Sequence, residues 1–296
     1  MFTIGLIGTG IMGLAIVSHL TKSGYQVYVH DNKPEQMKRA REAGALPVQS
    51  VIELAAKCNP VFLCLPSSAV TEEVCVGGTG LFSHMAKGNT LIDLGTGNPT
   101  VTISLATAAS EQGINLLDAP ISGGFKNAEE GKLSIMVGGN YQEYLKYEGL
   151  LKSIGTSVTY LGTAGMGHTA KIVNNIVSGA NLIALCEGLV LGTKSGLNIE
   201  TLLDSINAGE ARSYMSRVKK MAIITKNFTP GAKVSIHVKC EDIALDLGRS
   251  LGVFLPICSL TRTIYHTMLH KGMGDLDTAS VYRFLEEYAS ARRLGE

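Results

Sequence analysis

The sequence is short of charge. Lys, Arg, Asp and Glu make up 17% of its 296 residues, and the formal net charge is +1. Globular chains ordinarily carry about a quarter charged residues, so much of this surface is expected to be covered, between domains or between subunits. With no basic field, nothing recruits nucleic acid or an anionic membrane surface. The six cysteines (Cys58, Cys64, Cys75, Cys186, Cys240 and Cys258) form no CxxC pair and no dense framework. They read as reduced, mostly buried thiols, and a cytoplasmic location is expected. The opening MFTIGLIGTG lacks a basic flank, so its apolar residues belong to a strand and not to a signal peptide.

One apolar run is long. From Ile172 to Gly192 the chain reads IVNNIVSGANLIALCEGLVLG, with Glu187 its only charge. That length would cross a bilayer, but Asn174, Asn175, Asn181 and Glu187 would be costly there and no basic loop sets an orientation. No membrane span is expected. A helix buried by protein on every side is the better reading, with Glu187 paired to a polar neighbour.

The first half alternates short apolar runs with amphipathic ones. Strands are expected at Ile4–Ile7, Val27–His30, Val61–Leu65, Thr90–Asp93 and Asn115–Asp118, with helices at about Met12–Lys22, Pro34–Ala43 and Val101–Gln112. This alternation implies a parallel sheet with helices on both faces. Leu133–Val137 and Ser157–Leu161 read as added strands that finish the sheet. After Gly162 only helical patterns follow, so the expected domains are residues 1–163 and an all-helical 164–296.

Gly8-Thr9-Gly10-Ile11-Met12-Gly13 is G-x-G-x-x-G directly after a strand and opening a helix. Gly8 allows the tight turn, Gly10 lets backbone approach a pyrophosphate, and Gly13 lets the helix pack close to the sheet. Asp31 ends the second strand at the spacing of the acid that bonds the ribose hydroxyls of NAD and repels the 2′-phosphate of NADP. NAD is therefore expected, with NADP the alternative. Asn32 shares the turn, and Lys33 lies close enough to pair with a phosphate.

Four further segments align with this start: Leu65-Pro66; Asp93-Leu94-Gly95-Thr96; Asp118-Ala119-Pro120-Ile121-Ser122-Gly123-Gly124; and Gly165-Met166-Gly167 followed by Lys171-Ile172-Val173-Asn174-Asn175. Together they resemble the β-hydroxyacid dehydrogenase family over nearly the whole chain. The resemblance implies an α/β fold: an N-terminal Rossmann domain with a doubly wound parallel sheet, joined by a long helix to an all-helical C-terminal domain. The implied reaction is NAD(P)-linked interconversion of a short 3-hydroxy acid and its semialdehyde, at a site between the domains. By position Lys171 matches the catalytic lysine and Asn175 its partner one turn later. Ser122, Gly123 and Gly124 match the loop that holds the substrate carboxylate. Leu65, Pro66 and Thr96 match cofactor contacts, and Lys239 matches a lysine near the nicotinamide end.

The sequence also departs from the family pattern. Gly95 stands for the usual Ser, Cys240 for the Asp after the matching lysine, and Ala232 for a common Phe. Tyr214 stands where relatives often carry an aromatic, and Arg212 before it reads first as a solvated side chain, with contact to a second substrate carboxylate the alternative. These changes bear on substrate identity more than on reaction type.

The chemistry required of Lys171 explains its apolar setting. Oxidising an alcohol removes a hydride from carbon and a proton from oxygen, and an amine can handle the proton once apolar surroundings and a helix N-terminus disfavour its ammonium form. Asn175 at i+4 shares its face; Asn174 points elsewhere. His266 and His270 have H-x-x-x-H spacing without a zincin's Glu or a third ligand, so no metal is expected, and none of the seven His residues is assigned a role. Asp275 and Asp277 read as turn and N-cap residues. A homodimer or homotetramer is expected, with helical domains packed together. The rival readings are an NADPH-linked reductase of small semialdehydes or glyoxylate, an imine reductase and a non-catalytic scaffold.

Overall fold

The computed structural model describes residues 2–77 and 79–291. In chain order the elements are β1 (Thr3–Ile7), α1 (Ile11–Lys22), β2 (Gln26–His30), α2 (Pro34–Glu42), β3 (Leu46–Pro47), α3 (Val51–Lys57), β4 (Val61–Leu63), α4 (Ser68–Val76), β5 (Thr90–Asp93) and α5 (Pro99–Glu111). There follow β6 (Asn115–Asp118), β7 (Ile121–Ser122), α6 (Gly124–Glu129), β8 (Leu133–Gly139), α7 (Tyr141–Ile154), β9 (Gly155–Gly162) and α8 (Met166–Lys194). The remainder is α9 (Ile199–Ala208), α10 (Tyr214–Val218), α11 (Lys220–Thr225), α12 (Val234–Leu251), α13 (Pro256–Met268) and α14 (Val281–Ala291). The chain divides into two compact units, residues 1–171 and 172–296, which meet inside α8.

The first unit is built on one sheet, in the order β3-β2-β1-β4-β5-β6-β8-β7, with β9 added to β8. The first six strands of that order are mutually parallel. This is the doubly wound arrangement, whose order reverses between β1 and β4. The strands are apolar at nearly every position because both faces are covered, and their alternating side chains feed two cores. Ile4, Leu6, Phe62, Ile92 and Leu117 enter one core with Ile16 and Leu20 of α1. Ile7, Val61, Leu63, Leu91 and Leu116 enter the other with Leu54 of α3.

Several local expectations shift. β8 runs antiparallel to β6 and β7, so the sheet is mixed at this end. β4 ends at Leu63, leaving Cys64 and Leu65 in the turn beyond it. β3 and β7 are two-residue strands with no periodicity to read, and Pro47 can be spared a hydrogen bond because β3 lies at the sheet edge. Ser122 is in a strand and Gly123 caps a short helix, so this stretch is a strand-to-helix turn and not a free loop.

The second unit contains no strand among the described residues beyond the single bridge Lys233–Asp277. Its core gathers Leu182, Ile183, Cys186, Leu189, Leu203, Val234, Val238, Tyr265, Met268 and Phe284. The backbone N–H of Ala279 donates to Asp277 (2.9 Å), the N-cap of the turn Thr278–Ser280, while Asp275 pairs with Lys233 (2.7 Å). By length and composition α8 alone among the described residues would suffice to cross a membrane. It is not enclosed on every side. Val173, Val177 and Leu191 are 51%, 53% and 71% exposed, and Glu187 is exposed rather than paired inside. A 3.6-residue period gives so apolar a helix two greasy faces, and packing within the unit uses one.

Candidate active site

The turn after β1 needs each of its glycines for a different reason. Gly8 adopts φ +93°, and a Cβ there would lie 2.5 Å from the Cys64 carbonyl oxygen. A Cβ on Gly13 would lie 2.0 Å from the carbonyl oxygen of Gly8, so α1 can approach β1 only without one. Around Gly10, by contrast, a Cβ would meet nothing within 4 Å. That residue is the N-cap of α1 and brings no capping side chain. The result is a bare backbone cradle before a helix N-terminus, which suits an anionic pyrophosphate. Ile11 is exposed and Met12 half-buried at its rim.

Asp31 is tied into this turn. Its Oδ2 accepts from the Thr9 N–H (2.8 Å) and the Thr9 hydroxyl (3.3 Å), and its Oδ1 accepts from the Lys33 N–H (2.9 Å). A carboxylate has about four acceptor sites, so three bonds leave one for a ribose hydroxyl. Asn32 beside it is exposed. Leu65 lines the same turn, its Cδ2 3.1 Å from where a Gly8 Cβ would sit, and Pro66 is exposed just beyond.

At the carboxyl ends of β5 and β6 lie two acids that sequence reading quoted without a role. Asp93 is buried and its Oδ1 accepts from the Gly95 N–H (2.8 Å), shaping the turn that presents half-buried Thr96. Asp118 is fully buried, its Oδ1 accepting from the Gly165 N–H (2.8 Å) and its Oδ2 from the His168 N–H (2.8 Å). Burial pushes the Asp118 carboxyl upward, offset in part by the His168 ring and these N–H donors. A Cβ on Gly167 would meet the carbonyl oxygens of Met136 (2.4 Å) and Asp118 (2.6 Å). The first turn of α8 therefore lies directly on the sheet.

Lys171 is one turn further along α8 and 8% exposed. Asn175, 7% exposed, follows at i+4, where its Nδ2 donates to Cys240 Sγ (3.0 Å) and its Oδ1 accepts from Asn174 (3.2 Å). Ser122 and Gly124 are half-buried and Gly123 is exposed. Gly123 and Gly124 take φ +132° and +78°, and a Cβ on Gly124 would meet nothing within 4 Å, so this turn presents backbone without side chains.

The first unit thus brings together the glycine cradle, Asp31, Leu65 and Pro66, and it carries Thr96, Ser122–Gly124 and Lys171. Asn175, Cys240 and half-buried Lys239 of α12 belong to the helical unit. Arg212 and Tyr214 are exposed there. Among the described residues no group of three or more His, Cys, Asp or Glu is arranged to hold a metal ion; the His266 and His270 rings pack edge to face. Sequence reading missed His168, Thr102, Asp93 and Asp118. The available signal was two acids ending apolar strands and a histidine one turn before the lysine.

Residues 3–162 match the family model described as the NAD binding domain of 6-phosphogluconate dehydrogenase, and residues 165–285 match that of the NAD-binding of NADP-dependent 3-hydroxyisobutyrate dehydrogenase. The chain belongs to the β-hydroxyacid dehydrogenase family. It is 33% identical to 2-(hydroxymethyl)glutarate dehydrogenase of Eubacterium barkeri over 285 residues, 96% of this chain and 95% of that protein. It is 30% identical to 2-hydroxy-3-oxopropionate reductase of Escherichia coli, over 97% of this chain and 98% of that one. The Mycobacterium tuberculosis 3-hydroxyisobutyrate dehydrogenase solved with L-serine superposes with a TM-score of 0.88 at 27% identity, covering 96% and 99% of the two chains. This dehydrogenase is accordingly an NAD(P)-dependent oxidoreductase acting in hydroxyacid and semialdehyde chemistry. The glycine cradle and Asp31 are the parts of its first unit that fit the dinucleotide.

Proposed function

We propose that this enzyme interconverts a short 3-hydroxy acid and its semialdehyde with Lys171 as general acid/base, and that it prefers NAD. The observation that carries this reading is a lysine, 8% exposed, in the opening turns of α8, a helix whose first turn is bonded to the carboxyl end of β6. Ligands of doubly wound sheets bind at that edge.

A nicotinamide dinucleotide in the cradle supplies acceptance or delivery of the hydride. Lys171 takes the proton as the alcohol becomes a carbonyl and returns it in reduction. Burial and the N-terminal end of α8 are features of its setting that favour a neutral amine over an ammonium. Asn175 orients the substrate hydroxyl or the amine, and the Ser122–Gly124 backbone with the Ser122 hydroxyl holds the carboxylate. Thr96, Leu65 and Pro66 are assigned to cofactor contact, and Lys239 to the nicotinamide end. The preference for NAD rests on Asp31, whose carboxylate repels a 2′-phosphate.

The exposed apolar face of α8 supports a homodimer or homotetramer through the helical unit. The burial of five of the six cysteines supports a reducing, cytoplasmic compartment. The low net charge and the bonding of α8 to Asp118 support a small-molecule partner in place of nucleic acid or membrane.

The test is turnover with NAD on a panel of L-serine, D-glycerate, 3-hydroxyisobutyrate, 4-hydroxybutyrate and 2-(hydroxymethyl)glutarate, repeated with NADP. At least one substrate turns over, NAD gives the higher kcat/KM, and Lys171→Ala lowers kcat by about 10²–10⁴-fold while dinucleotide affinity holds. Near-wild-type rates in that variant would refute the proton-transfer role. A wide NADP advantage would overturn the reading of Asp31.

A further inference from the structure

We infer that His168 is a positioning residue, a clamp that fixes the Gly95–Asn98 turn against the first turn of α8 and so sets where the Lys171 amine sits. The inference rests on the reading of Lys171 given above. His168 is fully buried, and Thr102, Asp93, Asp118 and Gly97 beside it all belong to the first unit. Its Nδ1 lies 2.7 Å from the Thr102 hydroxyl of α5, and that hydroxyl also lies 3.0 Å from the Asn98 carbonyl. A hydroxyl has one proton to give. Donated to Asn98, it leaves the oxygen to accept from the Nδ1–H of His168.

The ring is flanked by acid on both edges. Nδ1 is 3.9 Å from Asp118 Oδ2 and Nε2 is 3.9 Å from Asp93 Oδ2. Nε2 makes no hydrogen bond among the described residues. The ring's outer edge presses on the Thr96 turn so closely that a Cβ on Gly97 would lie 2.8 Å from His168 Cε1. The same two acids shape the flanking backbone, Asp93 through the Gly95 N–H and Asp118 through the N–H groups of Gly165 and His168. One imidazole therefore joins β5, β6, α5 and the start of α8. Its Cα is three residues before that of Lys171, on the same rigid turn. A displacement of about 1 Å at a reacting group can cost about 10²-fold in rate.

The experiment pairs Thr102→Val, which removes the hydroxyl at nearly constant volume, with Thr102→Ser, which keeps it, and adds His168→Gln. Kinetics are measured on the substrate turned over best, and amide hydrogen exchange is followed over residues 165–171 without substrate. The expected result is a kcat lower by about tenfold in Thr102→Val and about 10²-fold in His168→Gln. Thr102→Ser recovers most of the rate. Exchange at Gly165 and His168 quickens in Thr102→Val and not in Thr102→Ser. Equal behaviour of the two Thr102 variants in both rate and exchange overturns the clamp, as does wild-type kcat in His168→Gln. If His168→Gln does not fold, the Thr102 pair decides. Lys171→Ala, run alongside, separates the two readings. Full activity there sinks the proton-transfer role whatever the exchange shows, whereas rate loss there with an unaffected Thr102→Val sinks only the clamp.

Discussion

Single side chains in this dehydrogenase are specialised by what surrounds them. Asp31 spends three acceptor sites on Thr9 and Lys33, which fixes a negative charge at the end of β2. Asp31→Asn keeps a carbonyl acceptor for Thr9 and removes the charge. The ratio of kcat/KM for NAD over that for NADP should fall by about tenfold or more, because a like-charge repulsion is lifted. Glu241 of α12 is the opposite case. It is fully buried beside His237, Gly179 and Tyr265, and neither carboxylate oxygen has a hydrogen bond among the described residues. Burial pushes its carboxyl up to about 8; Thr261 and Arg262 pull it down a little and Asp242 adds to the rise. A folded carboxyl that holds its proton longer than the unfolded one loses stability as pH rises. The contribution is whole below the ordinary value of 4.5 and drains away up to about 8. Melting temperature should thus decline more steeply between pH 5 and 8 in wild type than in Glu241→Gln. Parallel curves would show that Glu241 does not titrate in that window.

At the scale of elements, two close approaches decide the geometry of the site. The first is α1 on β1. Gly13→Ala places a Cβ 2.0 Å from the Gly8 carbonyl, against backbone that cannot rotate away. The expected cost is about 1–3 kcal/mol of stability and a loss of dinucleotide affinity of at least tenfold (about 1.4 kcal/mol), read by thermal melts and by titration. Gly10→Ala, whose Cβ would meet nothing, should keep its stability while losing affinity. The second approach is α8 on the sheet, where Gly138 and Gly167 leave room for Asp118 to bond the helix's opening turn. Local pattern foretold both helices but only the first contact. G-x-G-x-x-G is a contiguous signature, whereas Gly138 and Gly167 come from separate elements and carry no spacing rule.

For the whole molecule, the second unit leaves several large apolar side chains uncovered. Val173, Val177 and Leu191 recur on one side of α8, and Leu251, Phe254 and Ile257 stand 66%, 87% and 60% exposed around the α12–α13 turn. Exposed apolar side chains of this size, where they cluster, are the raw material of an interaction site. Light scattering on purified protein should give a dimer or tetramer mass, and Val177→Glu should shift it toward monomer without changing the melting of the first unit. A monomer at micromolar concentration in wild type would remove the homo-oligomer reading.

Alternation of apolar runs, the glycine spacing and the strand-free second half are relations between near neighbours in the chain. They determined the α/β class, the glycine turn followed by Asp31, the added strands and the lysine at the head of α8. Only the tertiary structure decided which face of α8 is covered, that β8 runs against β6, and that Thr102 meets His168 across 66 residues of sequence. Those contacts depend on strand order and on how closely helices sit upon the sheet. Long-range packing of this kind leaves no period in the chain, so a histidine that looks idle by spacing stands at the centre of a buried polar cluster.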